Sequence, residues 1–393
     1  MPYDINENAL VSELDVLRSS EGYLFAGSPK FKGLFGRDSI ISSWQLLDYD
    51  ASIARDTLIA LAAVQGTKAD QSTGEQPGKI IHEYYKSGVT STEWFNSTKA
   101  QSGWLKMDRP EYLSIDSTPL FIILLSKYYQ KTKDSKTLSM IWPHAKMAAE
   151  WIMDYGIKDK FVRYVPNDGK LRSQSWKDGA GKFLENLSSP VAIVEVQGYT
   201  YLAMRCMMDL MKATCDSELL ERASAASSAL KADFEERFWM EEYEYYAIAI
   251  DGNGRQVRSI TSNPGHLLFT GIADAERARA IAKRITMGDM MTPYGIRTHS
   301  SKDGYFDPFA YQLGSVWPHD NWIIAQGLKA IGNDIGYEAV RNSVISAATK
   351  LRAMPEYYGV SKSNDLIPLN EMRTQPCDPQ AWSLAALIDF IRS

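Results

Sequence analysis

The chain has 393 residues, 45% of them hydrophobic and 23% charged, with a formal net charge of −5 at pH 7. That is a globular composition long enough to bury a sizeable core, and its acidic balance gives no electrostatic case for nucleic acid or an anionic membrane as a partner. Cys206, Cys215 and Cys377 show no CxxC spacing, the opening MPYDINENAL has neither a basic start nor an apolar leader, and no apolar run approaches 18 residues, so a cytoplasmic protein is expected.

Helical periodicity dominates the chain. Helices are predicted over 6–20, 37–48, 51–65, 118–132, 135–156, 190–215, 217–239, a short 264–272, 273–288, 315–332, 336–354 and 378–393. Strand character is confined to short pieces such as YEYYAIAI at 243–250, which suits a small hairpin. Five very short connections (48–50, 133–135, 216–217, 272–274, 333–335) alternate with five long ones (66–117, 157–189, 240–263, 289–314, 355–377). A short connection makes an antiparallel helical hairpin, and a loop beyond about 12–15 residues is usually functional. Strict alternation puts all the long loops at one end. The helices that follow long loops are apolar almost all round, as in PVAIVEVQGYTYLAM, while their successors are amphipathic. These features predict an all-α (α/α)6 barrel of six inner and six outer helices over 1–393, its first helix packing beside its last.

The polar and aromatic clusters fall in those long loops or in the first turn of an inner helix. Trp176 and Asp178 in SQSWKDG are the sharpest case, a large ring beside a carboxylate in a Gly- and Ser-containing loop. Ten Trp and 21 Tyr exceed what a core needs, so the rings either anchor loops or line a carbohydrate cleft. The five histidines (82, 144, 266, 299, 319) are scattered without HExxH spacing, and no phosphate-binding glycine loop follows a strand. No metal or cofactor is therefore implied. Carboxylates and aromatic faces suit glycoside hydrolysis, which needs one protonated carboxyl for the leaving oxygen and a second to activate water or attack.

The segments FGRDS, GKIIHE, SIDSTPLF, the W-K-D-G loop, VEVQGY, SNPGHLLF, YGIRT, GSVWPHDN and CDPQAW, in order from about residue 30 onward, resemble the glucosidase domain of glycogen-debranching, amylo-α-1,6-glucosidase-type proteins, within the six-hairpin glycosidases. Debranching relatives usually carry a further domain before the barrel, whereas here the barrel begins almost at once. The resemblance implies an inverting mechanism with Asp178 as acid and Glu356 as base, and release of a terminal sugar, glucose foremost, from α-linked oligosaccharides. Trp176 beside Asp178 agrees with the first role, since desolvation raises a carboxyl pKa. Glu371 in the loop of Glu356 is a rival base. Glu195 is a third, or a hydroxyl ligand, or a partner for Arg37.

Arg37 and Asp38 either grip the terminal sugar or form a helix-starting ion pair. Trp317 and His319 are expected along the pocket, aimed by Pro318. Gln380 and Trp382 are expected at its floor. His82, Glu83, Lys177 and Gln197 complete the expected sugar contacts. Asp116 either caps a helix or binds substrate. His144 is expected to be structural, while His266 and His299 suit either the pocket or loop anchoring. Alternatives to the main reading are a glucosidase I- or mannosylglycerate hydrolase-type enzyme, an idle sugar-binding barrel, and a lyase or epimerase on the same fold.

Overall fold

Four of the short turns carry an Asp or Asn that starts the next helix. Asp50, Asp134, Asp274 and Asn333 accept backbone N–H groups of the helices they precede, which satisfies donors that a helix start leaves orphaned. In the computed structural model, which describes residues 5–166, 170–179, 182–185, 187–214 and 217–393, the helices run in order α1 (Glu7–Val16), α2 (Gly36–Gln45), α3 (Ala51–Ala62), α4 (Thr92–Thr98), α5 (Ser117–Thr132), α6 (Ser135–Trp151), α7 (Lys182–Glu185), α8 (Val194–Thr214), α9 (Ser217–Arg237), α10 (Ala275–Ile285), α11 (Pro318–Ala330), α12 (Asp334–Leu351) and α13 (Ala381–Arg392), with a 3-10 segment at Asn263–Leu267. Cys215 and residue 216 of the turn expected at 216–217 lie outside the described residues.

The inner ring closes. α2 packs on α5, α5 on α8, α8 on the 3-10 segment, that segment on α11, α11 on α13, and α13 back on α2. Outside them stand α3, α6, α9, α10, α12 and α1, each against its inner partner, with α1 beside α13. This is the (α/α)6 architecture. The core is continuous around the ring, from Leu58 and Phe121 through Met204 and Ile281 to Leu384. Among the described residues no helix is long and apolar enough to cross a membrane.

Several boundaries differ from the sequence reading for local reasons. The inner element expected at 264–272 is a single 3-10 stretch over Asn263–Leu267, opened by Pro264 near its start. The helix expected from 190 starts at Val194 because Ala192–Ile193 pair as a strand with Ala249–Ile250, which pair in turn with Gln256–Val257. The hairpin text at 243–250 divides between that sheet and a second ladder of Trp239–Met240 with Tyr245–Tyr246. α4 and α7 lie within long loops and were not anticipated.

One asymmetry positions everything that follows. Outer helices α1, α3, α6, α10 and α12 are capped by side chains, but at the starts of inner helices α2, α5, α11 and α13 no side-chain cap forms. Their first turns, with the positive end of the helix dipole, face the long-loop end.

Candidate active site

Gly36 opens α2 where two long loops meet. Phe35 pairs antiparallel with Glu83, and the Gly36 N–H donates to the His82 carbonyl at 2.9 Å. A Cβ at Gly36 would meet the Ile81 carbonyl oxygen at 2.1 Å, so only glycine allows this approach. The result sets Arg37 and His82 side by side at the mouth of the ring. Around them is a narrow recess with a cavity volume of about 40 Å³.

Three carboxylates face the recess: Asp38, Asp178 and Glu356. Trp176, Trp317, Trp382, Tyr311, Phe31 and Phe35 provide its rings, and Arg37, His82 and Gln312 its remaining polar groups. Arg37 is 4% exposed and forks between two acids, with Nη1 at 2.5 Å from Asp116 Oδ2 and Nη2 at 3.3 Å from Asp178 Oδ2. Burial opposes the guanidinium charge, but Asp116, Asp178 and Asp38 more than offset it. The Asp178 side chain remains 25% exposed. Burial pushes its carboxyl up, against the opposing pull of Arg37. Burial likewise raises Asp38 to about 7 and Glu356 to about 7.

Glu356 is held from two sides. Tyr311 donates its hydroxyl to Oε1, and the Cys377 N–H donates to Oε2 at 3.0 Å. The Glu356 N–H in turn donates to the Cys377 carbonyl at 2.8 Å. Of the rival bases, Glu371 is exposed on a 3-10 turn and Glu195 is buried behind the wall, accepting from Asn263 Nδ2 at 3.0 Å. Neither lines the recess.

The remaining expected contacts separate into those in the wall and those behind it. Asp116 caps nothing: its carboxylate takes Arg37 and the Ser114 hydroxyl, the latter at 2.6 Å. Lys177 turns away from the recess. It is fully buried, donates Nζ–H to the Thr298 carbonyl at 2.7 Å, and lies 5.1 Å from the centroid of the Trp176 ring. Burial lowers its ammonium to about 8, while Asp320 and Glu195 favour the charge. Gln197 clamps Val162 through both backbone groups at 2.9 Å, far from the sugar contact expected of it. Glu83 accepts from the Tyr85 hydroxyl at 2.9 Å, and Gln380 precedes α13; neither is part of the recess wall.

Histidines form a layer under the tryptophans. His319 lies flat on Trp382, ring centroids 3.7 Å apart, and edge-on to Trp176 at 4.9 Å. His266 stacks beneath Trp176 and joins Tyr199, at 2.5 Å from Nδ1, to Asp320, at 2.7 Å from Nε2. His299 packs edge-on to Phe183, and His144 bonds Gln65 on an outer helix. The indole N–H groups of Trp176 and Trp382 are buried with no hydrogen-bond partner among the described residues, a costly state.

Four residues of the recess were not anticipated: Phe31, Phe35, Tyr311 and Gln312. A signal existed for the last two. They stand in YQLG, at the end of a long loop and just before the GSVWPHDN segment that opens an inner helix.

Comparison with known proteins gives the chain a family and a fold. A family model for the mannosylglycerate hydrolase MGH1-like glycoside hydrolase domain matches residues 37–363. Mannosylglycerate hydrolase MGH2 of Selaginella moellendorffii is 37% identical over 67 residues, 16% of this chain, and the match spans 13% of that protein's length. The crystal structure of GH63 mannosylglycerate hydrolase from Thermus thermophilus in complex with Tris is similar with a TM-score of 0.71 and 17% identity, covering 98% of this chain and 100% of that one. The same protein in complex with glucose gives a TM-score of 0.73 and 18% identity over 98% and 100% of the two chains. These structural likenesses speak for the fold. The matching family model is another branch of the six-hairpin glycosidases than the debranching type that the motifs resemble.

Proposed function

The chain belongs to the family of mannosylglycerate hydrolase MGH1-like glycoside hydrolase domains, and we propose that it hydrolyses a small α-glycoside by single displacement with inversion. The observation that carries the proposal is the pairing of Asp178 and Glu356 across one recess, each held by its own hydrogen-bonding partners. Asp178, raised by burial, gives its proton to the glycosidic oxygen. Glu356 takes a proton from the attacking water. An inverting pair needs about 6.5–9.5 Å between carboxyls to admit that water. The rings of Trp176, Trp317 and Trp382 exclude bulk water and face the sugar. Arg37 and Asp38 hold the hydroxyls at the mouth of α2.

The recess is narrow and walled by rings, which favours a chain end or a disaccharide-sized glycoside over a long polymer. Positive charge lies near the recess. Lys99 Nζ is 4.5 Å from the centroid of Phe31, a recess residue, and Lys30, bonded to the Gln375 carbonyl, acts on Glu356. That charge favours a substrate that carries a carboxylate, such as mannosylglycerate. The debranching-type alternative, glucose from a neutral α-linked oligosaccharide, lacks that complement.

The test is proton NMR of reactions with mannosylglycerate, glucosylglycerate, trehalose, maltose and isomaltose. Release from a hydroxy-acid glycoside with β-configured sugar appearing first is expected. First appearance of the α-anomer would exclude inversion. A preference for isomaltose or maltose would return the enzyme to the glucosidase reading.

A further inference from the structure

The two groups that hold the carboxyl pair are neighbours in the chain. Tyr311 donates to Glu356 Oε1. Gln312 donates Nε2–H to the Trp176 carbonyl at 2.7 Å and accepts the Gly179 N–H on Oε1 at 2.8 Å. One carboxamide thus pins the backbone on both sides of Lys177–Asp178. The contact is tight as well as polar, since a Cβ at Gly179 would meet Tyr311 Cδ1 at 2.6 Å.

Tyr311 is itself immobilised. Its carbonyl accepts from Trp317 Nε1 at 2.8 Å and from the Ser315 hydroxyl at 2.6 Å. Its ring stands edge-on to Trp317 at 4.8 Å and to Tyr357 at 5.0 Å. A planar peptide bond therefore joins the support of one carboxyl to the support of the other. The carboxyls themselves come from separate long loops and need a common reference, because a displacement of about 1 Å can cost about 10²-fold in rate.

We infer that the Tyr311–Gln312 dipeptide is the positioning element of the pair, aiming Glu356 through Tyr311 and Asp178 through Gln312. The inference rests on the reading of those two carboxyls as base and acid. It has a signature that a merely structural role lacks. A hydrogen bond donated to a carboxylate favours its ionised form. Loss of the Tyr311 hydroxyl therefore raises Glu356, and loss of the Gln312 amide raises Asp178. Each variant should move a different limb of the pH profile.

The experiment compares kcat and kcat/KM for mannosylglycerate across pH in wild type, Tyr311→Phe, Gln312→Met and Gly179→Ala, with Asp178→Asn and Glu356→Gln alongside. Tyr311→Phe is expected to move the rising limb upward and leave the falling limb in place. Gln312→Met is expected to move the falling limb upward and to lower kcat by about 10²-fold with little change in KM. Gly179→Ala, which removes no hydrogen-bonding group, is expected to lower kcat in the same way and serves if Gln312→Met fails to fold. Equal losses at every pH, or no loss, overturn the inference while leaving the pair intact if Asp178→Asn and Glu356→Gln are inactive. If those two match wild type, or wild type hydrolyses no glycoside in the panel, the acid–base reading falls and takes the inference with it.

Discussion

Arg37 Nη2 stands 3.3 Å from Asp178 Oδ2, close enough to oppose the burial that would otherwise keep this carboxyl protonated over a wider range. The same guanidinium is bonded at 2.5 Å to Asp116, which is wholly buried. One cation thus serves two acids, and removing it strands both. Arg37→Met is expected to cost about 3–5 kcal/mol of stability, the usual loss when a buried pair is broken from one side. Urea unfolding measures it. Adding Asp116→Asn should recover part of the loss, because the acid left unpaired is then neutral.

A general acid matters in proportion to how badly the leaving group needs a proton. Asp178→Asn should lower kcat on mannosylglycerate by about 10²–10⁴-fold yet retain turnover of α-mannosyl fluoride, whose fluoride leaves without one. Glu356→Gln should lose both activities, since water must be activated in either case. Full retention of mannosylglycerate turnover by Asp178→Asn would remove it from the role of acid.

The rising side of the pH profile belongs to Glu356. Burial lifts it to about 7, and the base works only when ionised. The sign follows: kcat/KM should fall as pH drops through about 7, by tenfold per pH unit below it. An activity that stays level from pH 7 to pH 5 would contradict this assignment.

Asp38 couples the site to stability. Its folded-state value is raised by burial from the ordinary 3.8 to about 7. Between those values the folded chain binds a proton that the unfolded chain does not, so the contribution of Asp38 to stability declines as pH rises from about 4 to about 7. Asp38→Asn cannot ionise. It should therefore raise Tm relative to wild type at pH 8 and leave the difference near zero at pH 4, as scanning calorimetry at the two pH values will show.

The two lysines near the recess predict a charge-selective effect. Lys30→Met and Lys99→Met should each raise KM for mannosylglycerate roughly two- to fivefold, the scale of a partly exposed charge contact, with no matching change for methyl α-mannoside. An equal effect on both substrates would remove the carboxylate from the account.

The ring was legible because chain length is a geometric constraint. A connection such as 333–335 cannot carry the chain to the far end of a helix, whereas 289–314 can, so the alternation of lengths already located the open end. Trp176, Asp178, Trp317 and Glu356 were legible for a related reason: bulky rings and acids in loops next to inner helices had one direction available. Lys177 and Gln197 were not. A loop lysine is normally solvated, and this one is buried because Asp320 and Glu195 approach from other elements. Gln197 spends its amide on Val162, whose strand pairing with Ile157 only the folded chain brings within reach. The Gln312 carboxamide escaped notice likewise, since its partners Trp176 and Gly179 come from another loop.

The ring closure of α13 on α2 has a consequence for how the molecule comes into being. The Gly27–Gln380 bridge and the Ser28–Pro379 hydrogen bond join the start of the chain to a stretch made some 350 residues later, and the Cys377 contacts of Glu356 belong to that same late stretch. On a ribosome, α1 and α2 emerge with their eventual neighbour still untranslated. Their apolar faces, Leu14 and Ile41 among them, must wait through the synthesis of every helix between. The recess draws on distant parts of the message at once, so a nascent chain stalled before residue 377 has most of its helices and no site.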